Sequence, residues 1–173
     1  AGVELHIAAD TFFLVITSAA ELLLQTIIQQ LKLTGSENII DAYCGIGTFS
    51  LPLAQRVQQV VGIELNHNSV RQAQINNAIF LTGKVKDCLQ QIEFQPDILL
   101  LDPPRKGCDP QVLETILKLK PERIVYVSCK PATLARDVQM LCASGAYQLS
   151  QIQPADFFPQ TTHVECCALL NKL

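Results

Sequence analysis

None of the seven cysteines (Cys44, Cys88, Cys108, Cys129, Cys142, Cys166 and Cys167) stands in a C-x-x-C pair, and no paired histidine spacing accompanies them. This disfavours the usual zinc and redox motifs, and an odd count in a chain of 173 residues does not suit a small disulfide scaffold. Reduced thiols in a cytoplasmic protein are expected, with no metal. A basic excess is missing too: 13 Lys and Arg stand against 16 Asp and Glu, for a net charge of −3. A nucleic-acid partner would therefore need a local phosphate-binding surface, or one on sequence outside this chain. No charged-then-apolar signal peptide opens the chain. Ala1 rather than methionine begins it, which points to a trimmed fragment. The apolar stretch 12–28 is interrupted by Glu21 and Gln25, with Ser18 placed as a helix cap. It reads as a strand and an amphipathic helix, not a membrane span. Repeats, low-complexity tracts and linkers are also lacking, and 49% hydrophobic content suits one domain with a sizeable core.

What is present is an alternation of short β-branched runs with helical segments. Strands are expected over 39–42, 60–64, 79–81, 98–101, 124–127, 147–152 and 164–170. Helices are expected over 48–55, 69–78, 110–119 and 132–143, the last closed by Gly145. The pattern is that of a doubly wound α/β fold, Rossmann-like, with 1–33 as a lead-in strand and helix and 34–173 as the main domain.

Four strand ends carry chemistry. The run Ile124-Val125-Tyr126-Val127-Ser128-Cys129-Lys130-Pro131 ends a buried strand on a thiol, at the edge where open α/β sheets place their sites. Lys130 and the helix that Pro131 is suited to begin put positive potential beside it, the setting of reactive thiols. Ile98-Leu99-Leu100-Leu101-Asp102-Pro103-Pro104-Arg105-Lys106-Gly107 ends a second buried strand on an acid. Two prolines force the chain out of the sheet there and stiffen a turn that holds a carboxylate and a guanidinium. After the first strand comes Asp41-Ala42-Tyr43-Cys44-Gly45-Ile46-Gly47-Thr48-Phe49. Its glycines allow close backbone approach by a ligand, but Ser50 replaces the third glycine of the dinucleotide fingerprint, which disfavours a pyrophosphate. Glu64 ends the second strand, where ribose hydroxyls are commonly held. Loop and acid together favour a nucleoside ligand.

These blocks, with Val61-Gly62-Ile63-Glu64, Ser128-Cys129-Lys130-Pro131-Ala132-Thr133-Leu134-Ala135-Arg136-Asp137 and Asp156-Phe157-Phe158-Pro159-Gln160-Thr161-Thr162-His163-Val164-Glu165, run in family order along nearly the whole chain. The chain thereby resembles the catalytic domain of the RNA 5-methyluridine methyltransferases, which use S-adenosylmethionine. The resemblance implies a mostly parallel seven-stranded sheet with an antiparallel last strand. It implies Cys129 as nucleophile, Glu165 as the base that removes the C5 proton, and Arg105 at a position tied to catalysis. Tyr43, Gly45, Thr48, Glu64 and Asp102 then fall on the cofactor side, and the substrate is a uridine in tRNA or rRNA. Family members commonly carry a further amino-terminal RNA-binding domain, some with an iron–sulfur cluster, and neither lies in this chain. A monomer is expected.

The chemistry needs these residue types. C5 of uracil is a poor nucleophile, and a thiolate adding at C6 turns it into an enolate-type carbon that can accept a methyl group. A base must then take the C5 proton so that the thiol can leave. Glu165 opens an otherwise apolar strand, where burial raises a carboxyl toward a useful basicity. His163 has no second ligand at suitable spacing and reads as structural or substrate-side. Cys166 and Cys167 read as core. Phe157 and Phe158 pack the loop or stack on a base flipped out to meet Cys129.

Two positions depart from the family. Phe-x-Gln-x-Asn is replaced by Phe12-Phe13-Leu14-Val15-Ile16, which removes a polar cofactor contact at Leu14. Lys84 stands where an Asn or Asp commonly meets the adenosine side. Two rival readings remain. A cytosine-C5 enzyme would carry Pro-Cys where Asp102-Pro103-Pro104-Arg105 stands, and an inactive binding module would keep the fold without turnover.

Overall fold

Strand side chains that alternate between two buried faces set the architecture. The computed structural model describes residues 17–67, 69, 78–156, 160 and 164–173. In chain order its elements are α1 (Thr17–Leu31), β1 (Asn38–Ala42), α2 (Ser50–Ala54), β2 (Gln59–Glu64), β3 (Ala78–Thr82), α3 (Val85–Leu89), β4 (Ile98–Leu101), α4 (Pro110–Leu119), β5 (Arg123–Ser128), α5 (Pro131–Ala143), β6 (Tyr147–Ala155) and β7 (Glu165–Lys172). The strands form one seven-stranded sheet in the order β3-β2-β1-β4-β5-β7-β6. Pairing is parallel from β3 through β5, and β7 runs antiparallel to both β5 and β6. This is the mostly parallel, doubly wound sheet with an antiparallel last strand expected from the sequence.

Period-two alternation divides the core between the two faces. Leu99, Leu101, Ile124, Tyr126, Cys166, Ala168 and Leu170 point to one side, where Val112, Leu113 and Ile116 of α4 and Leu134, Val138 and Leu141 of α5 cover them. Ile98, Leu100, Val125, Val127, Cys167 and Leu169 point to the other, against Leu23, Ile27 and Leu31 of α1 and Leu53 of α2. Cys166 and Cys167 are thus core residues of opposite faces, as expected.

The differences from expectation are local. The helix over 110–119 is found with those bounds, because Asp109 caps it through Gln111 N at 3.0 Å and Pro110 supplies a preset φ. The helix expected over 48–55 begins only at Ser50, since the glycine turn runs on through Phe49. Ser18, expected as a helix cap, falls within the span of α1. Five-residue α3 was not expected, being too short to show a helical period, and Lys84 at its N-cap makes no side-chain cap bond. Of the helix expected over 69–78, Ser69 is helical and Ala78 opens β3, while the rest lies outside the described residues. The expected strand at the start of the lead-in, with Leu14, also lies outside them. β6 runs on to Ala155 along the sheet edge, where Pro154 is tolerated. No helix among the described residues is long and apolar enough to cross a membrane.

The carboxyl edge of the sheet gathers the residues of interest. Tyr43 follows β1, Glu64 ends β2, Asp102 follows β4 and Cys129 follows β5. Because β7 is antiparallel, its first residue, Glu165, comes to the same edge.

Candidate active site

Cys129 sits in a turn that its neighbours make rigid. The Ser128 hydroxyl accepts from the Lys130 amide at 3.1 Å and lies 3.2 Å from the Lys130 carbonyl, so the chain is clasped across Cys129. Lys130 then caps α5 with extended backbone, and Pro131 takes the first helical position as expected. Cys129 is half-buried, at the amino-terminal end of a 13-residue helix whose dipole points at it. The ladder between β5 and β7 pairs Ser128, the residue before Cys129, with Cys166, the residue after Glu165.

Glu165 is buried, with 6% of its surface exposed, and burial raises its carboxyl above the ordinary range, opposed by the charge of Arg105. Arg105 itself is exposed, on the turn after β4. Asp102 is half-buried at the head of the same turn, and its amide donates to the Ala42 carbonyl at 3.3 Å. Burial pushes the Asp102 carboxyl up to about 8, with Glu165 and then Asp41 adding like-charge repulsion. Cys129, Glu165, Arg105 and Asp102 therefore share one corner of the sheet edge.

The nucleoside side is built from the turn after β1. Tyr43 takes a left-handed φ of 67°, a costly conformation for an aromatic residue. Its half-buried ring packs against the core, with the hydroxyl beside the Cys108 thiol, so it braces the turn after β1 against the one after β4. Gly45 also has positive φ, 56°, and a Cβ there would meet nothing within 4 Å. Its amide donates to Glu64 Oε2 at 3.1 Å, while Glu64 Oε1 accepts from the Asn66 amide at 2.8 Å. Two acceptor sites of the Glu64 carboxylate are thereby used, leaving capacity for a ligand hydroxyl. Thr48 is half-buried on the same turn.

One residue was not assigned from the sequence. Asp41 is fully buried beneath this turn, where Oδ2 accepts from Ser50 Oγ at 2.5 Å and Oδ1 has no hydrogen-bond partner. An acid at the last positions of a strand before a glycine turn was the available signal. The other thiols are poorly placed for chemistry. Cys44 stands at the same edge but is buried, and burial pushes its thiol far up. Cys88, Cys108, Cys166 and Cys167 are buried too, and Cys142 lies near the far end of α5. Among the described residues no group of three or more His, Cys, Asp or Glu could hold a metal ion. Leu14, Phe157, Phe158 and His163 lie outside the described residues.

The family model described as tRNA (uracil-5-)-methyltransferase matches residues 7–88 and 83–173. The chain belongs to this family. An uncharacterized RNA methyltransferase of Nostoc sp. strain PCC 7120 is 54% identical over 177 residues, covering 98% of this chain and 38% of that protein. Another of Synechocystis sp. strain PCC 6803 is 50% identical, covering all of this chain and 39% of that protein. The chain thus spans about two fifths of the length of the curated relatives it matches. The crystal structure of Pyrococcus abyssi tRNA (uracil-54, C5)-methyltransferase with S-adenosyl-L-homocysteine is similar, with a TM-score of 0.79 and 34% identity. That match covers 93% of this chain and 40% of the archaeal one.

In this uracil-5 family chain, the buried acids make a prediction about stability. Burial raises the Asp41 carboxyl to about 7, and Asp102 and Glu165 move the same way. Unfolded, these acids ionise near pH 4, so unfolding between pH 4 and 8 releases protons and stability falls as pH rises. For Asp41 alone the loss reaches about 4 kcal/mol by the top of that range, since each tenfold gain in proton affinity on folding is worth about 1.36 kcal/mol. Ligand-free protein should therefore resist denaturant better at pH 5 than at pH 8, and Asp41→Asn should flatten the dependence. An identical pH dependence in Asp41→Asn would remove Asp41 as a cause.

Proposed function

We propose that the protein transfers a methyl group from S-adenosylmethionine to C5 of a uridine in RNA. The reading rests on one juxtaposition: a half-buried thiol directly after β5 and a buried carboxyl that opens β7, each next to the last paired residues of that ladder, Ser128 and Cys166. Family membership supports it, as does a structural relative, itself a tRNA uracil-C5 methyltransferase, that carries S-adenosyl-L-homocysteine.

The residues of the turn after β1 fit such a cofactor. The orphaned Oδ1 of Asp41 supplies a buried acceptor, and the open space over Gly45 supplies room for a nucleoside against backbone. In this reading Gly45, Thr48, Glu64 and Asp102 hold the ligand, Glu64 through the ribose hydroxyls, and Tyr43 keeps their turn in place. When bound, the cofactor supplies a methyl group on a positively charged sulfur. Raised carboxyls nearby are suited to it, since a cation favours their ionised forms.

The protein's own groups carry the rest. Cys129 adds to C6 of the uracil and so makes C5 nucleophilic. Arg105, exposed beside Glu165, offsets negative charge that develops on the base. Glu165 takes the C5 proton once the methyl group is in place, and the thiolate leaves. Burial makes Glu165 a stronger base than a solvated carboxylate.

The decisive measurement uses cofactor carrying a radioactive methyl group, bulk RNA lacking 5-methyluridine, and digestion of the product to nucleosides. Label should elute as 5-methyluridine. Elution as 5-methylcytidine would replace the reading with the cytosine one, and no incorporation with any RNA would favour a binding module.

A further inference from the structure

The mechanism above leaves Asp137 unused, although it is a fully buried acid with four polar contacts. It is 0% exposed on α5, eight residues beyond Cys129. Its Oδ2 accepts from the Cys108 amide at 2.8 Å and from the Tyr126 hydroxyl at 2.5 Å. Its Oδ1 takes Arg136 Nε at 2.8 Å and Nη2 at 2.7 Å. A buried carboxylate is costly unless its acceptor sites are filled. Here they are filled by β5, by α5 and by the turn after β4.

The same face of α5 grips that turn at two more points. Thr133 and Arg136 precede Asp137 at the i−4 and i−1 positions. The Thr133 hydroxyl lies 3.3 Å from the Arg105 carbonyl and 3.0 Å from the Lys130 carbonyl. Arg136 Nη2 donates to the Lys106 carbonyl at 3.0 Å. Gly107, between these points, has φ of 78° and a Cβ position only 2.5 Å from Arg136 Nη2 and 2.7 Å from Asp137 Oδ2. The turn can sit this close only as glycine. Arg105 thus rides on a segment held at residues 105, 106 and 108 by the helix that starts directly after Cys129.

We propose that Asp137, with Thr133 and Arg136, is a positioning clamp that fixes Arg105 relative to Cys129. This rests on the roles given above to Cys129 and Arg105. A turn containing two prolines is stiff but not located; attachment to the helix after Cys129 locates it. A displacement of about 1 Å of a catalytic group costs on the order of a hundredfold in rate. None of the clamp residues needs to touch RNA or cofactor.

The test follows covalent capture of 5-fluorouridine-containing bulk RNA, isolated from bacteria grown in 5-fluorouracil, at saturating S-adenosylmethionine. Asp137→Asn keeps shape but loses the charge that holds Arg136. It should slow adduct formation about ten- to a hundredfold, with cofactor affinity by calorimetry unchanged. Thr133→Val, isosteric at a half-buried position, should slow it about two- to tenfold, again without changing cofactor affinity. Hydrogen exchange should rise at the Gly107 and Cys108 amides in Asp137→Asn while β4 and β5 stay protected. Both variants capturing RNA at the wild-type rate would overturn the clamp while leaving the roles of Cys129 and Arg105 intact. Loss of cofactor affinity in step with rate would make Asp137 a general structural residue and also overturn it. Wild type that captures no RNA would remove the reading of Cys129, and the clamp with it.

Discussion

Cys129→Ala forms no covalent complex with RNA that carries 5-fluorouridine at the target, and methylation falls by roughly four orders of magnitude or more, as when a covalent nucleophile is removed elsewhere. The expectation follows from what fluorine does to the last step. Addition at C6 and methylation at C5 proceed with fluorine in place of hydrogen, but fluorine cannot leave as a cation, so the thiol stays attached. Wild type should therefore accumulate a stoichiometric adduct stable to denaturation. No other thiol is placed to substitute. Cys44 is at the same edge, yet it is 5% exposed, within the turn after β1, and burial strongly biases its thiol toward the protonated form. The substitution removes a half-buried side chain from a turn whose clasp is made by Ser128 and Lys130, so the fold should survive. Undiminished adduct in Cys129→Ala would rule out the assignment, and an adduct mapped to Cys44 would move the nucleophile to the turn after β1, two strands away in the sheet.

The fold was legible because the central strands are short and apolar and several are followed by a stop signal. Pro103 and Pro104 end β4, Pro131 opens α5 and Asp109-Pro110 opens α4, so these boundaries fall within a residue of expectation. Boundaries blurred where no such signal exists. The glycine turn after β1 has no residue that forces the helix to begin, and α3 is shorter than two helical turns. The edge strand β6 reads poorly because only some of its residues are buried, and a register shift between Leu149 and Gln151 breaks its alternation.

The site was legible to a different depth. Residues that end strands (Glu64, Asp102, Cys129, Glu165) can be placed from topology alone, since parallel strands bring their carboxyl ends to one edge and an antiparallel strand brings its start there. The buried acids could not be read this way. Asp41 and Asp137 both stand in motif blocks quoted whole from the sequence, yet neither spacing nor charge reveals that each is 0% exposed. Burial depends on which loop folds over the strand end, and in both cases the covering segment is distant in sequence or curled back by glycines. The contact of Tyr43, which the family resemblance puts on the cofactor side, with Cys108 in the turn after β4 was likewise not legible from spacing.

Glu165→Gln should separate the two halves of the reaction. Attack by Cys129 and methyl transfer need no base at C5, so both continue. Elimination does need one, and an amide cannot take the proton. Protein–RNA complex bearing a methylated base should build up with ordinary uridine, and turnover should fall about 10²- to 10⁴-fold, the range associated with loss of a general base. The sign of the pH effect is set by burial. The Glu165 carboxyl is raised above its ordinary value, so at low pH it is protonated and cannot act. In wild type, turnover should rise with pH through that raised value and then level off, and the rise should vanish in Glu165→Gln. Arg105 opposes the shift, so Arg105→Gln should move the wild-type rise to higher pH. Normal turnover in Glu165→Gln, or loss of adduct as well as turnover, would sink the role: the first because no base is missing, the second because the residue would then be needed before elimination begins.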